Sequence, residues 1–139
     1  RYPPPAIDQP MNIEEFLAGS PHAVVGASRD RSKYGNKVLR VYQQTGRPVY
    51  PVNPQADEVE GLEAYSDLAS LPEPVHGVSI ITPPEITEQV VEEAGRLGIQ
   101  HIWMQPGAES EAAVARAEEL RINVIHGGPC ALVVMGYSE

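Results

Sequence analysis

Apolar residues along the chain fall into short continuous runs that alternate with segments of helical periodicity. Five of the runs are four to six residues long and end at glycine, proline or polar residues, a pattern typical of buried parallel strands. They span residues 22–26, 48–52, 77–81, 99–104 and 122–125. Apolar residues at helical spacing predict helices over residues 34–45, 83–97 and 110–120. This alternation predicts an α/β fold with a five-stranded, mainly parallel sheet covered by helices on both faces.

The remaining segments predict smaller elements. Residues 1–11 contain four prolines and no periodicity, so we expect an extended N-terminal arm and a single domain over residues 12–139. Residues 12–18 are expected to form a short helix, residues 58–65 a short extended excursion, and residues 67–71 one helical turn. Thr82 and Glu85 are spaced as a capping box for the helix that follows the third strand.

Composition excludes several classes of partner. Nineteen acidic and ten basic residues give a formal charge of −9, whereas nucleic-acid-binding domains usually carry a basic surplus. No apolar run approaches the roughly 20 residues needed to span a membrane, and the N-terminus lacks the apolar segment of a signal peptide. Cys130 is the only cysteine, so an intrachain disulfide is impossible. These features predict a cytoplasmic protein that binds neither nucleic acid nor membrane.

The basic residues are unevenly distributed. Six of the ten lie between positions 29 and 47 with only Asp30 opposing them, so this segment carries +5 and the remainder of the chain −14. The six are Arg29, Arg31, Lys33, Lys37, Arg40 and Arg47. A positive cleft on an acidic molecule favours a small phosphate-bearing ligand over a polyanion. The alternative is a solvated helix face.

The residues that follow the five predicted strands indicate where a ligand binds. They are Gly26-Ala27-Ser28, Asn53-Pro54, Thr82-Pro83, Gln105-Pro106-Gly107 and Gly127-Gly128-Pro129. The carboxyl ends of parallel strands meet at one edge of a sheet, where such folds bind ligands. Small residues dominate this edge and no set of catalytic acids and bases occurs there, which predicts contact with an extended ligand. The four histidines match no metal-ligand spacing, so no metal or catalytic residue is predicted.

The loop after the first strand carries the strongest motif. A strand ends at Gly26, and Ser28, Arg29, Ser32 and Lys33 precede a helix, whose free N–H groups suit phosphate oxygens. The loop matches neither G-x-G-x-x-G nor a P-loop. Asn53 stands where a nicotinamide-dinucleotide site usually has an acid for the ribose. An NAD(P)-binding or redox-sensing module therefore remains only an alternative.

Several of these motifs together resemble the CoA-binding domain family. They are Val24-Val-Gly-Ala-Ser28, Lys33-Tyr-Gly35, Tyr50-Pro-Val-Asn-Pro54, Gly61, Thr82-Pro-Pro84 and Gly127-Gly-Pro-Cys130. The family is similar to the nucleotide-binding-like domain of succinyl-CoA synthetase α subunits and ADP-forming acyl-CoA synthetases. The resemblance covers residues 12–137 and implies a Rossmann-like fold with a five-stranded parallel sheet.

The resemblance also implies a ligand, coenzyme A or an acyl-CoA, and a set of contacts. The phosphates would meet Gly26, Ala27, Ser28 and Lys33, with further positive charge from Arg29 or Arg31. The adenosine would lie beside Val52, Asn53 and Pro54, and the pantetheine would extend past Thr82, Pro83 and Gln105-Pro106-Gly107. The synthetase α subunits have a lysine just beyond the proline after the second strand, whereas this chain has Gln55-Ala56.

The resemblance leaves the catalytic role open. The synthetases carry a further domain with a phosphorylated histidine and need a partner subunit, and the 139 residues contain no such domain. We therefore expect a CoA-binding protein without chemistry of its own. The alternative is an enzyme subunit that acts on acyl-CoA. A protein partner or a homo-oligomer is compatible with the sequence, which does not specify either.

Overall fold

Seven short strands are present in a computed structural model, which describes the main chain of residues 5–139 and the side chains from Asn12 onward. In chain order they are β1 (His22–Val25), β2 (Val49–Val52), β3 (Glu58–Val59), β4 (Leu62–Glu63), β5 (Gly77–Ile80), β6 (His101–Met104) and β7 (Asn123–Ile125). Five of them form one parallel sheet in the order β2-β1-β5-β6-β7. The predicted α/β, Rossmann-like architecture is confirmed.

The strands β3 and β4 form a separate antiparallel hairpin between β2 and β5. Glu60 and Gly61 connect them with φ of 49° and 79°, and two consecutive positive φ angles are typical of the tight turns that join hairpin strands. The extended excursion predicted over residues 58–65 is therefore this hairpin. The helical turn predicted over residues 67–71 is a 3-10 helix at Leu68–Ser70.

Helices cover both faces of the sheet. They are α1 (Pro5–Ala18), α2 (Tyr34–Gln44), α3 (Pro84–Leu97), α4 (Glu111–Glu119) and α5 (Ala131–Val134). Alternate residues of each strand point to opposite faces. Ile102 and Met104 therefore pack with the residues of α3 and α4, while Trp103 between them packs with Phe16 of α1 and Tyr42 of α2. None of the helices in the described part of the chain is long and apolar enough to cross a membrane.

The N-terminal helix is longer than the sequence predicted. The extended arm expected over residues 1–11 is wrong for residues 5–11, which belong to α1, while residues 1–4 lie outside the described residues. Pro5 is the first residue of the helix, where a missing N–H costs nothing and the fixed φ of proline suits the helix. The helix continues across the expected boundary at residue 12, so proline content was a poor guide to this segment.

Candidate functional site

The direction in which successive strands are added to the sheet reverses between β1 and β5. The chain passes from β1 outward to β2 and then returns to place β5 on the other side of β1. In open parallel sheets the crevice outside the carboxyl ends of two such strands is the usual ligand site. The loops that open into it are residues 26–33 after β1 and residues 81–83 after β5. Both contain residues that the sequence assigned to the ligand.

Two glycines allow these loops to approach each other closely. Gly26 has a φ of 96°, and a Cβ there would lie 3.0 Å from the main-chain carbon and oxygen of Ile81. A Cβ on Gly35, in the first turn of α2, would lie 2.0 Å from the oxygen of Gly26. Any larger side chain at either position would push the elements apart. The start of α2 is therefore pressed against the loop that follows β1.

The loop after β1 is shaped by bonds between its own residues. The main-chain N–H of Asp30 donates to Ser28 Oγ at 3.1 Å, and Asp30 Oδ1 accepts from both the N–H and the hydroxyl of Ser32, at 2.9 and 2.7 Å. The two hydrogen bonds from Ser32, and above all the one from its hydroxyl, hold the pKa of the Asp30 carboxyl below its usual range. Lys33 is the N-cap residue of α2, and its side chain makes no capping hydrogen bond.

A buried asparagine, which the sequence did not single out, holds this loop in place through hydrogen bonds. Asn36 Nδ2 donates to the oxygen of Ser28 at 2.8 Å and to Glu60 Oε2 at 3.0 Å. Its Oδ1 accepts from Arg40 Nε at 2.7 Å, and Arg40 Nη2 donates to the oxygen of Arg31 at 2.9 Å. The hairpin turn and α2 together fix the loop.

Most of the positive segment is engaged within the protein. Arg31 pairs with Glu60 at 3.5 Å, and Lys37 and Arg40 approach the side chain of Glu139 at 3.2 and 3.9 Å. Arg47 Nη1 donates to the oxygen of Leu17. Arg29 and Lys33 are exposed and form no ion pair with any of the described residues. Of the six basic residues, these two remain for a ligand.

The loop after β2 is bonded to the loop after β1. Val52 is buried at the end of the strand and Pro54 is exposed. Asn53 Nδ2 donates to the oxygen of Ala27 at 2.9 Å, while its Oδ1 accepts from the N–H of Gln55 at 2.8 Å. The Asn53 amide therefore joins the two loops.

The third loop places its threonine differently from the sequence-based expectation. The predicted capping box of Thr82 and Glu85 is wrong, because α3 begins at Pro84 and its N-cap is Pro83, which has no side-chain capping bond. Thr82 Oγ1 lies 2.8 Å from Oγ1 of the buried Thr87. The Thr82 hydroxyl, which was expected to cap the helix, instead forms a hydrogen bond with the hydroxyl of Thr87. Pro83 is exposed at the crevice.

The fourth loop begins with a buried glutamine. Gln105 Oε1 accepts from Tyr34 Oη at 3.0 Å and from the N–H of Ala131 at 2.9 Å, and the Tyr34 hydroxyl also contacts Cys130 Sγ at 2.7 Å. Burial and the contact with Cys130 raise the pKa of Tyr34 well above its usual value. Gln105 therefore ties α2 to the start of α5.

The rest of that loop is exposed and carries a carboxylate bridge. Pro106 and Gly107 are exposed. Glu109 Oε1 accepts from the N–H of Gly107 at 2.8 Å, and its Oε2 accepts from the N–H of Gly127 at 3.0 Å. The loops after β6 and β7 are thereby held together by Glu109, a residue that the sequence did not single out because its partners follow different strands.

All four predicted segments thus lie at one edge of the sheet, on neighbouring strands, in the order 52–54, 26–33, 82–83 and 105–107. His22, His76 and His101 are at or beside the opposite ends of the strands. Within the described part of the chain, no group of three or more histidine, cysteine or acidic side chains could hold a metal ion.

Comparisons with known proteins agree with this architecture. The profile of the family described as CoA binding domain matches residues 21–136. The α subunit of acetate–CoA ligase [ADP-forming] II from Pyrococcus furiosus is 37% identical over 83 residues, which cover 58% of this chain and 18% of the ligase subunit. The chain thus spans less than a fifth of that relative. The protein YneT of Bacillus subtilis is 32% identical over 114 residues, covering 81% of this chain and 84% of YneT.

A solved structure has the same fold. A conserved hypothetical protein from Pyrococcus furiosus superposes with a TM-score of 0.79 at 38% identity, covering 84% of this chain and 99% of that one. The family profile covers all five strands of the parallel sheet and the four predicted loops at their carboxyl ends. The chain belongs to the CoA-binding domain family.

Proposed function

We propose that this chain binds coenzyme A or an acyl-CoA in the crevice outside the carboxyl ends of β1 and β5. The observation that carries the proposal is the loop of residues 26–33. It begins with a glycine of positive φ, leads into the N-terminus of an 11-residue helix, and presents two exposed cations, Arg29 and Lys33. Free N–H groups at a helix start and nearby cations are the groups that phosphate oxygens prefer.

Each part of a CoA molecule would contact a different one of the four loops. In this proposal Gly26, Ala27 and Ser28 offer main-chain and hydroxyl groups to the phosphates, and Arg29 and Lys33 supply the charge. Ser32 would turn its hydroxyl from Asp30 to a phosphate oxygen on binding. The residues at the end of β2 and just beyond it, Val52 to Pro54, lie beside the adenosine. The pantetheine extends across Thr82 and Pro83 toward the loop at 105–107. The proposal is supported by the strand order, since segments 52–54, 26–33, 82–83 and 105–107 follow one another along the sheet edge as adenosine, phosphates and pantetheine do in CoA.

The proposed role is binding without acyl or phosphoryl transfer by this chain itself. The exposed residues of the loops after β2, β5 and β6 include Pro54, Pro83, Pro106 and Gly107, which supply shape and main-chain groups. Arg29 and Lys33 supply positive charge that suits binding of an anion. The enzyme-subunit alternative is supported by the resemblance to CoA ligases, such as the acetate–CoA ligase subunit of Pyrococcus furiosus.

Thermal unfolding with a panel of ligands tests the proposal. CoA, acetyl-CoA, NAD, NADP and ATP are each added to the wild-type chain. A ligand present at 100 times its Kd adds about 2.7 kcal/mol of apparent stability, so the melting temperature should rise most with CoA or acetyl-CoA. A larger shift with NAD or NADP would support the dinucleotide alternative. Conversion of acetyl-CoA to products by the chain alone would support the enzyme alternative.

A further inference from the structure

A charged groove of about 380 Å³ lies beside the loop after β1. Four of its five lining side chains are charged, and three of those four are carboxylates. The lining residues are Arg29, Gln55, Asp57, Glu58 and Glu60. The groove therefore lies between the proposed phosphate loop and the segment that leads from β2 into the hairpin.

This position corresponds to a particular part of an adenine nucleotide. In sheets of this type the phosphates lie at the first strand–helix turn and the adenosine ribose lies near the end of the second strand, where an acid accepts hydrogen bonds from its hydroxyls. Here the residue at that position, Asn53, is occupied with Ala27 and Gln55. In the proposed binding mode the carboxylates near the ribose would come instead from the segment just beyond, where Asp57 and Glu58 line the groove.

The charges in the groove are not balanced. Glu60 is paired with Arg31 at 3.5 Å and accepts from Asn36 at 3.0 Å. The side chains of Asp57 and Glu58 are exposed and form no ion pair with the described residues. Arg29 is the one cation that faces them within the groove. The diphosphate of the ligand would itself draw on Arg29.

Ribose hydroxyls and a ribose phosphate interact with such a groove in opposite ways. A hydroxyl donates a hydrogen bond to a carboxylate, whereas a phosphate monoester carries nearly two negative charges and only accepts. We propose that the groove selects adenine nucleotides with both ribose hydroxyls free, so that the site binds dephospho-CoA more tightly than CoA. This inference rests on the proposed function and adds the ligand class that the same site prefers.

The test compares the Kd values of CoA and dephospho-CoA, measured by titration calorimetry at low salt. Repulsion of the 3′-phosphate by nearby carboxylates at a solvent-exposed distance predicts a preference of about fivefold or more for dephospho-CoA. The preference should shrink when salt is raised from about 20 mM to about 500 mM, because exposed charges are screened. Equal Kd values, or tighter binding of CoA, would overturn the inference while leaving the proposed function in place.

A double variant and a control variant test whether the groove causes the preference for dephospho-CoA over CoA. The double variant Asp57→Asn, Glu58→Gln should tighten CoA binding and bring the two Kd values together. The control Glu14→Gln removes an exposed carboxylate from α1, which packs on β6 and β7, and should leave the ratio unchanged. A ratio that persists in the double variant would contradict the inference.

Arg29 separates this account from its main competitor. If Arg29 served the 3′-phosphate, Arg29→Gln would weaken CoA more than dephospho-CoA. The inference predicts equal weakening of both, because Arg29 would serve the diphosphate that they share. Absence of binding by both ligands to the wild-type chain would overturn the proposed function and this inference with it.

Discussion

Asn53 donates a hydrogen bond from Nδ2 to the main-chain oxygen of Ala27 at 2.9 Å, and this bond fixes the loop after β1 to the end of β2. The sequence predicted that Asn53 would lie beside the adenosine of the ligand, which remains a proposal. The structure adds that its amide already has two partners, Ala27 and Gln55. Asn53 is therefore a positioning residue for the proposed phosphate loop.

Replacement of Asn53 should affect both folding and binding. Asn53→Ala removes the donor to Ala27 and the acceptor for Gln55, and loss of a part-buried hydrogen bond costs about 1 kcal/mol in the free energy of unfolding. CoA affinity should fall as well, since the loop is less well ordered. Asn53→Asp retains an acceptor for the Gln55 N–H but cannot donate to Ala27. It should show the loss of affinity, and wild-type affinity in both variants would contradict the positioning role.

Lys33 and Lys37 provide a matched pair for the proposed phosphate contact. Lys33 is exposed beside the crevice, whereas Lys37 is one turn later and pairs with Glu139 at 3.2 Å. Lys33→Ala should weaken CoA binding by about 1–2 kcal/mol, as expected for a charge-assisted contact, and should reduce its salt dependence. Calorimetry of Lys37→Ala should show a much smaller change. Unchanged affinity in Lys33→Ala would transfer the phosphate role to Arg29.

His22 predicts a pH dependence of folding that is independent of the ligand. Burial lowers the pKa of His22 from 6.5 to about 4, and its Nε2 donates to the oxygen of Phe16 at 2.7 Å. Between about pH 6.5 and pH 4 the His22 side chain is therefore protonated in the unfolded chain but not in the folded chain. The free energy of unfolding is at its full value above about pH 6.5 and decreases as the pH falls from 6.5 to about 4. Urea unfolding should give a free energy about 2 kcal/mol lower at pH 5 than at pH 7.

The variant His22→Gln keeps a donor for Phe16 and removes the titrating group. Its unfolding free energy should depend less on pH between 7 and 5. Some slope should remain, because burial and the neighbouring His76 also lower the pKa of His101. A slope identical to that of the wild-type chain would exclude His22 as the main source.

Tyr42 and Ser79 test how α2 is held on the sheet. Their hydroxyl oxygens are 2.6 Å apart and both side chains are fully buried. Either Tyr42→Phe or Ser79→Ala leaves the other hydroxyl without this partner, at a cost of about 1–2 kcal/mol. The double variant should be less destabilised than the sum of the single variants, because the second substitution removes the unsatisfied group. Simple additivity in urea unfolding would show that the bond does not couple the two elements.

The sequence predicted the sheet well and the interactions between loops poorly. The five strands were visible because each is an apolar run closed by a turn residue, and Trp103 and Met104 of the fourth run are buried in the core. By contrast, Asn36 and Glu60 are 24 positions apart and meet only because the hairpin folds back onto α2. The hydrophobic periodicity of the sequence does not predict a contact between two polar residues so far apart in the chain.

The charge pattern shows the same limit. The cluster of basic residues between positions 29 and 47 predicted an anion site of charge +5, but Arg40 is buried against Asn36 and Arg31 pairs with Glu60. A count of charges cannot distinguish a residue that supports a loop from one that faces a ligand. The packing of α2 against the hairpin leaves Arg29 and Lys33 exposed and without an ion pair to any described residue, whereas Arg31, although exposed, is paired with Glu60.

The central claim, that the crevice between β1 and β5 binds CoA, is tested most directly by titration calorimetry of the wild-type chain with CoA and NAD. The two ligands share an adenosine diphosphate, but CoA adds a pantetheine that would extend along residues 82–83 and 105–107. This contribution is expected to outweigh the unfavourable effect of its 3′-phosphate, which NAD lacks. The account predicts saturable binding of CoA at one site, with a Kd at least about tenfold lower than that of NAD, equivalent to about 1.4 kcal/mol. Tighter binding of NAD, or no heat of binding with CoA, would contradict it.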